Sequence, residues 1–207
     1  MTRRLVLIGG GGFAKEIAEV ARLAGHDLVG HLAPTPGIVA IRHLGYLEWL
    51  AANRDSFDAA IIAFGAVDRR SLAQRVALTR QLEADGIAFE TLVSPHAVVS
   101  AGVELGAGAF VAHGAVISVD ARIGRHVIIN SAAIIGHDAA IGDGAIIAPG
   151  AFLGGNVTVG EGCLIGPGAQ VLESRVIGRG CIVSVGSVVL RSIDDGATVL
   201  PARAKVL

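Results

Sequence analysis

From Leu92 onward the chain divides into consecutive blocks of six residues without an insertion: LVSPHA, VVSAGV, ELGAGA, FVAHGA and on to VVLRSI, 17 blocks ending at Ile193. The second residue of every block is aliphatic (Val99, Leu105, Val111, Ile117, Ile123, Ile129 and so on). Six residues are too few for a helix-turn unit but fit one short extended segment and a bend. Each block therefore forms one side of a coil, and three sides close a triangular coil of about 18 residues. The aliphatic second residue points into the prism. The sixth, mostly Ala, Val or Cys, fits a tighter interior place near a corner, and the Gly or Asp before it tolerates the unusual dihedrals of a bend. Coils stacked at about 4.8 Å make a rod of roughly 25 Å from almost six turns.

The composition agrees with a repetitive β architecture: 29 glycines and only 4% aromatic residues in 207, with 52% hydrophobic residues to fill a core. Seventeen basic and 18 acidic residues, scattered rather than clustered, leave no electrostatic footprint for nucleic acid or an anionic membrane. Cys163 and Cys181 fall at sixth positions, which favours core packing over a disulfide framework or a covalent acyl-enzyme. The apolar run after Arg4 is too short for a signal peptide, and no stretch of about 18 or more apolar residues reads as a membrane span. A soluble, cytoplasmic protein is expected, and no metal site is singled out.

Residues 1–90 follow a different grammar and are expected to form a separate Rossmann-like β-α-β domain, with 91–207 as the β-helix. Leu5 to Ile8 reads as a short buried strand, Gly9 to Gly12 as a turn, and Lys15 to Ala24 as a helix with apolar residues at Ile17, Val20, Ala21 and Ala24. Gly9, Gly11 and Ala14 match G-x-G-x-x-A, in which glycines let the backbone approach a phosphate at a helix N-terminus. The same glycines also suit a tight turn that binds nothing. A strand over Leu28 to Leu32 leads to Ala33-Pro34-Thr35-Pro36, with no carboxylate to hold a ribose, which argues against a nicotinamide dehydrogenase. A further strand over Ala59 to Phe64 ends at Gly65, and a helix is expected over Ser71 to Ala84.

The uninterrupted aliphatic hexads resemble those of the hexapeptide-repeat acyltransferases. That resemblance implies a left-handed parallel β-helix, usually trimeric, with acetyl-coenzyme A lying between adjacent prisms. With the N-terminal glycine loop and Gly65 included, nearly the whole chain is similar to the sialic acid O-acetyltransferase-like family, which includes N-acetyltransferases of nucleotide-linked 4-amino sugars of bacterial glycans. The resemblance implies that the small domain holds the nucleotide-sugar, with Gly11, Gly12, Phe13 and Gly65 beside its diphosphate or base. Where the family commonly carries paired aspartates, this sequence has Ala33 and Pro34, so uridine contacts do not transfer.

The segment from Ile129 and Asn130 to His137 and Asp138 resembles the family's catalytic motif. It implies that His137 is the general base, Asp138 its orienting acid, and Asn130 an acceptor-positioning residue. The same resemblance assigns the backbone N–H of Gly155 to the thioester carbonyl and its oxyanion, and Gly166, Pro167, Val185 and Gly186 to the pantetheine groove. A histidine that commonly follows the catalytic pair by nine residues is Ile146 here. Direct transfer from acetyl-coenzyme A to an amino sugar is the expected reaction. O-acetylation of a sialic-acid-like sugar and a non-catalytic trimeric nucleotide-sugar scaffold stand as alternatives. Among the remaining histidines, His113 has the same place in its block as His137 but lies on a different side and has no adjacent acid. His96 and His126 occupy bend positions, where polar residues need no functional reason.

Overall fold

The computed structural model describes residues 2–202; the end of the expected second domain, through Leu207, lies outside the described residues. The N-terminal part is a small α/β unit: β1 (Arg4–Ile8), α1 (Gly12–Leu23), β2 (Asp27–Leu32), β3 (His43–Gly45), α2 (Glu48–Ala52), β4 (Ala59–Ile62) and α3 (Arg69–Ala84). Its sheet is parallel in the order β3-β2-β1-β4, and Phe89 adds a bridge to Ala60 at the outer edge. The strands are short runs buried on both faces, the pattern of a covered parallel sheet. A loop, not a crossover helix, links β2 to β3. It is held by Gly37, whose N–H donates to His31 Nε2 at 3.2 Å, and by His43, whose Nε2 bonds the carbonyl of Ala33 at 3.0 Å.

From Leu92–Val93 to Thr198–Val199 the chain is a left-handed parallel β-helix of about six turns built from two-residue strands. The first face stacks the strands that begin at Leu92, Phe110, Ile128, Ile146, Leu164 and Ile182; the second begins at Val98 and the third at Glu104. Second and sixth residues share one interior, from Ala109 and Val111 to Cys181 and Val183. Both cysteines are free and fully buried, and burial pushes the Cys163 thiol up to about 12. Fifth residues take left-handed backbone at the corners, including non-glycines such as Asp120, His126, Ala132 and Asp138, at φ 56 to 58.

Two expectations about the repeat are corrected. At the N-terminal end the prism is open, so Val99 is exposed and Val93 and Leu105 are only partly buried. At the other end the register slips inside the last block, after Val189, which still pairs with Val171. Val183 pairs with Val199, two residues short of the step that pairs Ile165 with Val183, and Ile193 stacks on Ile177 as a second-position residue. The shortened corner is closed by Ser192, whose Oγ accepts from the N–H of Val176 at 2.9 Å.

The α/β unit packs on the first face. Leu5, Leu7, Ala14, Ile17 and Ala18 form one cluster with Leu92, Phe110, Ala112, Ile128 and Ile146, and Phe13 meets Phe110 edge to face at 5.5 Å between centroids. This explains why the first residues of that face are all large and apolar although they point outward. Polar ties reinforce the contact. Arg69 donates to the carbonyls of Gly180 and Gly196 at 2.8 and 2.7 Å. Buried Arg75, its pKa lowered by burial to about 10, reaches the carbonyls of Phe64 and Gly144. His126 stands at a bend, as its position implies, but it is buried there: its Nε2 is 3.0 Å from Glu83 Oε1, and Phe89 stands edge-on to its ring.

Candidate active site

His137 and Asp138 are the fourth and fifth residues of their block, so they form the corner between the second and third faces. The left-handed φ of 57° at Asp138 turns its side chain back toward its neighbour. His137 Nδ1 and Asp138 Oδ2 are 2.8 Å apart, and both side chains are more than half exposed. With Asp138 as acceptor the proton sits on Nδ1, and the lone pair of Nε2 is open. One coil above, the ring lies over Gly155: a Cβ there would collide with Nε2 and Cε1. The N–H of Gly155 has no acceptor among the described residues. An imidazole with a fixed tautomer beside a free backbone donor can take a proton and stabilise an oxyanion at one place.

A second assembly lies along the first face. A cleft of about 650 Å³ runs between the α/β unit and the rod and is lined by Phe13, Gly65, Asn130, Gly166, Pro167 and Val185, all expected site residues. Its floor is Ile128, Ile146, Leu164 and Ile182, with Ala148 and Ser184 at the corner. These were not singled out from the sequence, although the apolar first-face column carries the signal. Ile146, where a family histidine is missing, is part of this apolar floor. Asn130 is half-buried, and its Oδ1 accepts from the N–H of Ser131 at 2.8 Å, which turns the amide NH₂ outward.

The glycine loop divides by role. Gly9, at φ 130°, and Gly10 are required by packing, since a Cβ would strike the carbonyl of Ala63 in one case and the His31 ring in the other. Gly11, Gly12 and Gly65 border open space. Gly11 caps α1 with no side-chain partner, which leaves first-turn N–H groups facing solvent. Gly11, Gly12 and Gly186 are not among the residues that line the cleft.

The structure does not bring His137, Asp138 and Gly155 to this cleft. Asn130, Gly166, Pro167, Val185 and Gly186 stand at the corner between the first and second faces, and the His137 pair stands at the far edge of the second face. That intervening face is apolar apart from Gln170 and uncovered: Val98, Ile134, Phe152 and Val188 are 57, 41, 43 and 58% exposed. Among the described residues no group of three or more His, Cys, Asp or Glu side chains could hold a metal ion, and no helix is long and apolar enough to cross a membrane.

Comparison with known proteins fits these features. The bacterial transferase hexapeptide (six repeats) family matches residues 120–155 and 156–191. A histidine-to-asparagine mutant of perosamine N-acetyltransferase from Caulobacter crescentus, solved in complex with CoA and GDP-perosamine, is 33% identical over 94% of this chain and 91% of its own, with a TM-score of 0.87. The chain belongs to the hexapeptide-repeat acyltransferases. The acetyltransferase domain of PglB from Neisseria gonorrhoeae, in complex with acetyl coenzyme A, is 29% identical over 96% of both chains, with a TM-score of 0.87. WeeI from Acinetobacter baumannii is 25% identical over 96% of both, with a TM-score of 0.80. Among curated protein sequences none matches this acyltransferase.

Proposed function

We propose that this acyltransferase moves the acetyl group of acetyl-coenzyme A to the amine of a nucleotide-linked amino sugar in bacterial glycan synthesis. One observation carries the reading. His137, locked by Asp138, holds an open Nε2 over the one position, Gly155, where a missing side chain makes room for it and a free N–H stands ready. Nε2 accepts the proton of the amine as its nitrogen attacks the thioester carbonyl. The N–H of Gly155 holds the resulting oxyanion until the C–S bond breaks, and the imidazolium returns its proton to the departing sulfur, so coenzyme A leaves as the thiol. The perosamine enzyme, solved with both substrates' counterparts bound, supports this assignment of substrates.

The proposal includes a homotrimer. The exposed apolar second face is flanked by the His137 corner on one side and the Asn130 cleft on the other. Packing that face against further copies of the chain covers it and sets one copy's imidazole beside its neighbour's cleft. Residues 1–90 serve as the nucleotide-sugar-binding domain and 91–207 as the acyl-transfer domain. The glycine turn after β1 and the sheet order β3-β2-β1-β4 support a Rossmann-like reading of the former. In the cleft Phe13, Gly65 and Asn130 face the acceptor, with Gly11 and Gly12 at the diphosphate. Gly166, Pro167, Val185 and Gly186 flank pantetheine. A cytoplasmic location, where acetyl-coenzyme A is available, belongs to the same proposal.

The test is thiol release from acetyl-coenzyme A with a panel of GDP- and UDP-linked 4-amino sugars. Turnover is expected with at least one. His137→Ala should lower kcat by about a hundredfold or more while acetyl-coenzyme A binding stays nearly unchanged. Activity of the variant within a few-fold of wild type would remove His137 as the base.

A further inference from the structure

Below Asn130, on the same corner but away from the coenzyme end of the cleft, stand two histidines that the proposed reaction does not use. His113 is one coil down: its carbonyl accepts from the N–H of Ala132 at 3.1 Å, directly beneath the Asn130-Ser131 turn. His96 is a further coil down, with its carbonyl accepting from the N–H of Gly114 at 3.0 Å and its ring 5.4 Å from that of His113. His113 is half-buried and His96 exposed.

The hydroxyl of Ser94 fixes the His113 ring. Ser94 is 1% exposed, and its Oγ lies 2.6 Å from His113 Nδ1 and accepts from the N–H of His96 at 3.0 Å. A hydroxyl proton so deeply buried needs an acceptor, and His113 Nδ1 is the one within reach. The proton of the neutral imidazole is therefore on Nε2, which has no partner among the described residues. His137 and His113 are thus opposite in polarity: Asp138 leaves a lone pair on one, Ser94 leaves an N–H on the other.

We infer that His113 is a specificity-determining residue. Its Nε2–H donates to a hydroxyl oxygen of the acceptor sugar on the carbon next to the amine. The inference rests on the acetyltransferase reading above. With the coenzyme along Gly166 and Val185 and the amine at Asn130, the acceptor must extend toward the first coils. One coil step of about 4.8 Å puts a donor at His113 level with a substituent beside the reacting carbon. A site built to meet a hydroxyl discriminates against analogues without it, because its own fixed donor is then left unpaired.

The experiment is a cycle of enzyme and substrate changes, using GDP-perosamine or the panel member that the wild type acetylates best, and its analogue deoxygenated beside the amine. His113→Ala should lower kcat/KM for the parent acceptor about tenfold and leave KM for acetyl-coenzyme A within about twofold. The wild type should lose about as much on the deoxy analogue, and His113→Ala should lose nothing further on it. His113→Gln, which keeps a donor, should recover part of the loss. Ser94→Ala, which releases the tautomer without removing the ring, should reproduce part of it. Equal kcat/KM for wild type and His113→Ala on the parent, or losses from ring and hydroxyl that simply multiply, would overturn the inference while leaving the reaction intact. A wild type inactive on the whole panel would overturn the acetyltransferase reading and this inference with it.

Discussion

Gly155 has no side chain, and the His137 ring occupies the space one would take. The arrangement is reciprocal: the glycine fixes where Nε2 stands, and the imidazole keeps the backbone N–H of the next coil clear of any side chain. Gly155→Ala should therefore act through the ring rather than through the fold. Its backbone φ is not left-handed, and the obstructing atoms are the far end of a side chain that can swing outward. We expect kcat to fall by roughly ten- to a hundredfold, with a melting temperature close to that of the wild type. A variant that turns over normally with its ring displaced would break the link between that ring position and catalysis.

Among the elements, α3 joins the two parts of the chain, and its contacts titrate. Burial lowers the pKa of His126, partly offset by Glu83, and burial lowers that of His31, which anchors the loop over Gly10. A histidine held neutral in the fold takes a proton more readily when unfolded. Stability should thus fall as pH drops below the unfolded value of about 6.5 and level off once the folded pKa is passed. The carboxylates act lower down. Asp58 and Asp68 are held down by hydrogen bonds from Arg4 and Ser71. In Asp143, burial pushes upward but Arg125 outweighs it. Their stabilisation is present above about pH 4 and lost as pH falls through their lowered values. Urea unfolding between pH 7 and 5 should show the first decline, and His126→Gln should flatten it. An unchanged slope would remove His126 as a source.

The same elements show what the sequence could and could not reveal. The aliphatic second positions and small sixth positions dictated coil, core and corner because each makes the same demand in every turn. Block arithmetic also separates Asn130 from His137 by one face. The strands and helices of the α/β unit were found to within a few residues, with α1 beginning at Gly12 rather than Lys15 and α3 at Arg69 rather than Ser71. β3 and α2 were missed because three residues ending in Gly45 and five flanked by Asn53 carry too little periodicity to register. The final register slip was hidden because aliphatic residues satisfy both readings of Ile193. The burial of His126 was hidden because it comes from Glu83 and Phe89, distant in sequence.

For the whole molecule, the second face decides what a single chain can do. Its outward column is apolar apart from Gln170, where the third face carries Glu104, Arg122 and Thr158, and it lies between the two halves of the proposed site. Replacing Ile134 and Phe152 together by Glu should give a folded monomer, with the β-helix far-UV spectrum retained, a single-chain mass by light scattering, and acetyl transfer largely lost. A double variant with the same oligomeric mass as the wild type, or a monomer that keeps full activity, would assign that face another role.

The shared site itself is tested most directly by subunit complementation. His137→Ala removes the base, and Asn130→Tyr plugs the cleft, so each variant alone should be nearly inactive. If a site takes its imidazole from one copy and its cleft from the next, randomly mixed trimers of the two, made by co-expression, regain intact sites. Each mixed trimer carries one, giving about a quarter of wild-type activity at equal proportions. If both halves of the site come from one chain, every chain carries a lesion, and the mixture will be as inactive as its parents.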